Sequence, residues 1–373
     1  MPTLLRVLLT MEGNSKSYMN LPRSKHAYSL RDPADRLPGL NTLRFILAIW
    51  VVLIHYSLFL QWTGTRFSQA ELPLYQYLGW IYAHWDEPVP LFWAVSGAVF
   101  AVSYPNSTVF NTKRFLVARF ARLFPLHWIA LGLTISIHLL HFYILRELTS
   151  KLSFPVIAFN IMLIQRWLPL FNESINGPSW SISVEILTYV VFALYRIVNY
   201  VWADLFVIVL STFLLVLSHT EIRNSPYLSI SLFFITRRLI QIILLRLQYV
   251  TIYSLLTLLI SSIVLHVFCP EYSILAKAPL VVIVTILIYG KYSSIVDPKF
   301  IGDITYSLYL IHAPIMSCIS FGIKYFKVDG RVVLHPIFYT SYFCLLIAIS
   351  SLSFHYIEKK FRASINEVLC GKS

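Results

Sequence analysis

Two side chains in the first long apolar run, Arg44 and His55, have no reason to sit in lipid unless they work there. They are eleven residues apart. At about 100° per residue, eleven steps return to within roughly 20° of the starting direction, so both lie on one helix face. The rise between them is about 16 Å, roughly half of a ~30 Å hydrocarbon core. With Arg44 at one interface, His55 lies near the midplane on the same stripe. A neutral imidazole is the form that a general base requires. The pair therefore outlines a path for an elongated anionic substrate with its reactive end inside the membrane. A snorkelling arginine and a histidine bonded to a neighbouring helix fit the same pattern without chemistry.

Three further stretches carry polar groups among apolar ones. In RFLVARFARLFP at 114–125, Arg119 and Arg122 are three apart and share a helix face, and Arg114 extends the patch. Guanidinium forks suit phosphoryl oxygens, so this run reads as a phosphate clamp or as a plain excess of cytoplasmic basic residues. In GPSWSISVE at 177–185, Gly177 and Pro178 break the chain and Ser179 or Ser181 can cap a helix start. Glu185 then lies in the early turns, either favoured there by the helix dipole or turned into a bundle interior. In IGDITYSLYLIHAPI at 301–315, Thr305, Tyr309 and His312 fall at i, i+4 and i+7, one polar stripe on an apolar helix. Tyr306 and Ser307 add to it; helix–helix hydrogen bonding explains such a stripe as well.

Other signals point away from metal and soluble-enzyme chemistry. His138 and His141 are three apart, with no carboxylate placed as a third ligand, and read as packing residues, as do His127, His219, His266 and His355. The four cysteines show no CxxC or Cys/His zinc spacing, and no metal is expected. There is no GxSxG elbow, Walker loop, GxGxxG or HExxH.

The elements that must position these residues are membrane helices. The chain is 57% hydrophobic and 13% charged, against about a quarter charged in a soluble domain. Repeated apolar runs of 18–22 residues, a length suited to crossing, predict an all-α polytopic transmembrane helical bundle. The formal net charge is +13, with the basic residues beside the apolar runs; this is the positive-inside bias, not a nucleic-acid surface. Residues 1–40 read as a polar, basic cytoplasmic tail without a secretory signal, 41–358 as one membrane domain, and 359–373 as a second basic cytoplasmic tail.

Spans are predicted at about 41–60, 89–104, 123–145, 180–200, 203–218, 227–245, 250–268, 274–290, 302–325 and 336–356, with 61–88 an external, aromatic loop. The stretch 153–170 is short and contains Pro155 and Pro169. With both tails on one side the number of crossings is even, which favours ten spans, or eleven candidates if 153–170 is counted.

These motifs, in this order, resemble the acyltransferase-3 family of integral-membrane acyltransferases, from about Leu40 to Arg362. They are Arg44-FILAIWVVLI-His55, PLFWAVSGAVF at 90–100, RFARLFP at 119–125, WSISVE at 180–185, YSLYLIH at 306–312 and YIEKKFR at 356–362. Departures from the family pattern are His127 where a tyrosine is usual, Arg237 and Arg238 within an otherwise apolar run, and Lys360 in place of proline.

The resemblance implies transfer of an acyl group, commonly acetyl from acetyl-CoA, to a hydroxyl of a cell-surface polysaccharide or lipid-linked sugar, at the inner or plasma membrane. It implies His55 as catalytic residue with Arg44 as partner, Arg119 and Arg122 on the CoA phosphates with Arg114 beside them, and Trp180, Ser181, Glu185, Tyr309 and His312 lining the site. The competing expectation is a transporter or flippase for a glycan precursor, using the same buried polar residues as a path.

Overall fold

The computed structural model describes residues 37–106, 108–147, 152–167, 173–198, 202–218, 222–244, 248–291 and 297–370. Of the tail expected at 1–40, residues 1–36 lie outside them, and Leu37 and Leu40 are buried, Leu40 as the first residue of a helix. Among the described residues every regular element is helical. In chain order the α-helices are α1 Leu40–Trp62, α2 Tyr75–Ala83, α3 Pro88–Ser103, α4 Thr112–Leu140, α5 Phe154–Ile161, α6 Ser179–Val198, α7 Ala203–Leu217, α8 Pro226–Leu244, α9 Gln248–Phe268, α10 Ile274–Lys291, α11 Lys299–Tyr325, α12 Pro336–Ser353 and α13 Lys359–Cys370. Among the described residues seven helical segments are long and apolar enough to cross a membrane, and three shorter apolar ones lie at Pro88–Ser103, Ala203–Leu217 and Leu255–Phe268.

The apolar runs become helices near the expected bounds; the start of α4 and the end of α12 differ from expectation, and the shortness of α5 agrees with it. α4 starts at Thr112, eleven residues before Leu123, because the Asn111 side chain caps it by accepting from the Arg114 N–H at 2.9 Å. The arginine run therefore rides on the helix instead of preceding it. α5 has eight residues, a length of about 12 Å, and does not reach across a bilayer. Beyond α12 the chain passes through a π turn, Phe354–Glu358, into α13, which packs along α4. Arg237 and Arg238 do not interrupt α8, which runs continuously from Pro226. Arg237 is buried and donates to the Tyr195 hydroxyl at 3.3 Å and the Asn106 side-chain oxygen at 2.6 Å.

The core lies where α3 packs along α8 and α11 along α1. Both pairs approach closely at a glycine. A Cβ on Gly97 of α3 would collide with the Phe233 carbonyl of α8, and one on Gly302 of α11 with the Asn41 side chain of α1. In α11, 67% of the apolar window is buried, against 28% in α4, so α11 is central and α4 peripheral.

The start of α1 is held from afar. Asp297, just before α11, accepts from the backbone N–H groups of Gly39 at 2.9 Å and Thr42 at 2.8 Å, and from the Thr42 hydroxyl at 2.8 Å. At the opposite end Lys324 of α11 donates to Glu147, beyond α4, at 2.7 Å. That ammonium keeps the Glu147 carboxyl below its ordinary range.

Candidate active site

A cleft of about 80 Å³ opens among α1, α3, α4, α6 and α11. Its polar wall is Arg44 from α1, Ser96 from α3, Arg122 from α4, Ser181 and Glu185 from α6, and Thr305, Tyr306 and Tyr309 from α11. Five helices distant in sequence meet here because α1 and α11 pack side by side and α4 and α3 both meet α6.

Glu185 is fixed from two sides. The Ser96 hydroxyl donates to its Oε1 at 2.9 Å, and the Tyr189 hydroxyl, one helical turn on, donates to the same oxygen. The carboxylate thus faces the cleft and its arginines, as the interior alternative for this residue required. The serines ahead of it do not cap α6 as acceptors. Ser179 Oγ donates back to the Asn176 carbonyl at 2.7 Å, and Ser181 Oγ pairs with the Tyr309 hydroxyl at 2.6 Å.

His55 and His312 meet beside this cleft. Their ring centroids are 4.9 Å apart, edge to face. His312 is fully buried and His55 half-buried. His55 Nδ1 lies 2.8 Å from the Val51 carbonyl. A carbonyl only accepts, so Nδ1 carries the proton and Nε2 keeps its lone pair. Tyr309 links the two parts: it lines the cleft, and its ring centroid is 6.2 Å from that of His312.

The expected stripe on α1 is therefore real, but its members serve different walls. Arg44 is on the cleft, while His55 is absent from its lining and is joined to the cleft residue Tyr309 through the ring of His312. Neither side chain is fully exposed at the helix surface.

The stretch around α5 positions α6 and α11. Buried His127 donates through Nε2 to the Asn160 carbonyl at 2.7 Å. Asn160 in turn holds the chain at Glu173 and Ile175 through its side-chain amide. Asn176 then donates to the Leu310 carbonyl at 3.1 Å, two residues from His312. His127 is thus a packing residue, as its isolation in sequence suggested.

The arginines separate. Arg122 reaches the cleft. The Arg119 guanidinium lies over the rings of Phe100, Phe115 and Tyr189, 5.5 to 5.9 Å from their centroids. It lines a second, apolar groove of about 340 Å³ between α4 and α6, which shares Leu123 and Tyr189 with the cleft. Arg114 is half-buried on the first turn of α4 and lines neither recess. Trp180 is also outside the cleft lining; it meets Trp93 edge-on at 6.0 Å and has the Arg166 guanidinium 5.5 Å from its ring centroid.

Two residues not singled out in the sequence complete the site, Ser96 and Tyr189, together with Tyr306 of the polar stripe on α11. Tyr189 had a signal, being four residues after Glu185. Tyr306 donates to the Leu123 carbonyl at 2.6 Å and ties α11 to α4.

A family model described as an acyltransferase domain matches residues 37–355 of the chain. No curated protein and no solved structure matches it.

Proposed function

The chain belongs to the acyltransferase-3 family and is a membrane acyltransferase; from that premise we propose that it moves an acetyl group from acetyl-CoA to a hydroxyl of a cell-surface polysaccharide or lipid-linked sugar. The observation that carries this reading is the His55–His312 pair, in ring contact with Tyr309 through His312, beside a cleft walled by Arg44, Arg122 and Glu185.

His55 Nε2 takes the proton of the acceptor hydroxyl as that oxygen attacks the thioester carbonyl carbon. The carbon–sulfur bond breaks, and the proton passes from the imidazolium to the departing thiolate. The products are an O-acetyl ester and the free thiol of CoA. The Val51 carbonyl holds the tautomer that leaves Nε2 bare, and His312 fixes the tilt of the ring.

Donor binding follows from size and charge. On this reading the thin arm of the donor enters the cleft, and the nucleotide stays at the mouth. Arg122 and Arg44 take phosphate oxygens there, and Arg119 and Arg114 add to the attraction from outside. Glu185 offsets one of the two cleft arginines, which limits the cost of holding like charges in a low-dielectric site. Trp180, Ser181 and Tyr309 would shape the acceptor side. Both termini lie in the cytoplasm on this reading, with the protein in the inner or plasma membrane, so the basic end faces the compartment that supplies CoA thioesters.

The test is transfer of labelled acetyl from acetyl-CoA to extracted surface glycan by membranes carrying the protein. His55→Ala should lower transfer by roughly 10²–10⁴-fold while the protein still accumulates in the membrane. Transfer at the normal rate by that variant overturns the assignment of His55. A wild-type protein that moves glycan across vesicles without consuming acetyl-CoA would be a transporter instead.

A further inference from the structure

A proline inside a helix leaves one carbonyl without its donor, and in α11 that carbonyl belongs to the turn that carries His312. α11 runs from Lys299 to Tyr325 through Pro314. Proline has no backbone N–H, so the carbonyl four residues back, that of Leu310, loses the helical bond it would otherwise accept. His312 lies midway between the two. Every residue from Leu310 to Pro314 is buried, where an unmet acceptor is costly.

The missing donor comes from a distant part of the chain. The Asn176 side-chain amide, 134 residues away, donates to the Leu310 carbonyl at 3.1 Å. Asn176 is fully buried. Its backbone carbonyl accepts from the Ser179 N–H at 2.9 Å and the Ser179 hydroxyl at 2.7 Å, which ties it to the first turn of α6. Ile175, just before it, donates its N–H to the Asn160 side chain of α5 at 3.0 Å. The amide is thus delivered from backbone held on both sides, and it meets the carbonyl that the proline left open. On the α12 side, the Tyr342 hydroxyl reaches the His312 carbonyl only at 3.4 Å, long for an O–H donor.

We infer that Asn176 is a positioning residue for the histidine pair: by supplying the donor that Pro314 lacks, it sets the turn of α11 that holds His312 against His55. The two rings meet edge to face with centroids 4.9 Å apart, a contact that a small rotation of that turn would open. Asn176 acts through the backbone of α11 and touches no reacting atom. The inference rests on the proposed role of His55 as base.

The experiment is a double-mutant cycle on Asn176 and Pro314. For wild type, Asn176→Ala, Pro314→Ala and the double variant, two quantities are read: kcat for acetyl transfer per folded protein, and the melting temperature in detergent. Asn176→Ala alone should lower kcat by about tenfold and leave KM for acetyl-CoA within about twofold of wild type. The Pro314→Ala substitution returns a backbone N–H to the Leu310 carbonyl. In that background the same Asn176→Ala change should lower kcat by less than about threefold.

An equal loss in both backgrounds overturns the inference, since Asn176 would then act somewhere other than Leu310. So does a lowered melting temperature with kcat unchanged, the mark of a bond that only holds the fold together. Where Pro314→Ala does not fold, Asn176→Gln, which keeps an amide donor, is set against Asn176→Leu, which keeps bulk without one. A smaller loss of kcat in the glutamine variant supports the inference, and equal losses refute it. Full kcat in Asn176→Ala beside an inactive His55→Ala sinks this inference alone. A wild type without acetyl transfer, or a His55→Ala variant with full transfer, sinks the proposed function and this role with it.

Discussion

Ser96 is the least conspicuous polar residue on the cleft, and its single bond is the sharpest test of Glu185. A hydrogen bond to a charged group is worth about 1.5–3 kcal/mol when it is buried. If Glu185 must face Arg44 and Arg122 during transfer, losing that bond costs between about tenfold and a hundredfold in kcat/KM. Ser96→Ala should show this loss with the protein still folded in detergent, and Ser96→Thr, which keeps a hydroxyl, should recover part of the rate. Equal activity of Ser96→Ala and wild type would mean that Glu185 needs no aiming. Arg44, His55, Glu185 and His312 were legible in the sequence because an ionisable group within an apolar run stands out. Ser96 was not, since serines are common in membrane helices and its partner lies 89 residues on. The arginines show a different limit. Three residues on a helix turn through about 300°, so Arg119 and Arg122 diverge by about 60°. That divergence sends one into the cleft and the other over the rings of Phe100, Phe115 and Tyr189.

Hydropathy reads elements well because it is local, and it fails where an element is fixed by something distant. The apolar runs located α1, α3, α6 and α11, and Pro155 and Pro169 foretold that the stretch holding α5 would be cut short. The start of α4 was misplaced because its arginines were counted against a membrane helix, although arginine is a good helix former. Nothing local announces that Asp297 caps α1, since Gly39 lies 258 residues before it. That cap sets where the helix carrying Arg44 and His55 begins. An N-cap lost to alanine costs about 1–2 kcal/mol. Asp297→Ala should therefore lower the detergent-solubilised melting temperature by a few degrees. Asp297→Asn, whose amide oxygen can still accept the Thr42 N–H, should fall between the two. A melting temperature unchanged in Asp297→Ala would show that α1 is registered by its packing on α11 alone.

At the scale of the whole molecule the loops and helix ends sort into two groups that no single segment reveals. At one end, the loop after α1 meets the loop after α11. Ser320 donates to the Trp62 carbonyl at 3.0 Å, Tyr56 to the Val333 carbonyl at 2.7 Å, and Arg331 faces Glu71 at 3.8 Å. Glu147 with Lys324, and Glu87 with Lys277, belong to the same end. Its acidic and basic residues are interleaved. The other end gathers the start of α1, the α3–α4 turn, the first turns of α4, the start of α11 and α13. It holds Lys113, Arg114, Arg119, Arg122, Arg196, Arg237, Lys359, Lys360 and Arg362. Only one of these ends is strongly basic, and cytoplasmic ends carry that excess. The protein should therefore sit with the α3–α4 turn inside the cell and the α1–α3 connection outside. In a background with all four cysteines replaced, Gln69→Cys, which is exposed in that connection, should react with a membrane-impermeant maleimide on intact cells. Val109→Cys, 92% exposed in the α3–α4 turn, should react only after the membrane is opened. The reverse pattern would turn the arginine-lined mouth away from the cytoplasm, and a CoA thioester could then no longer reach it.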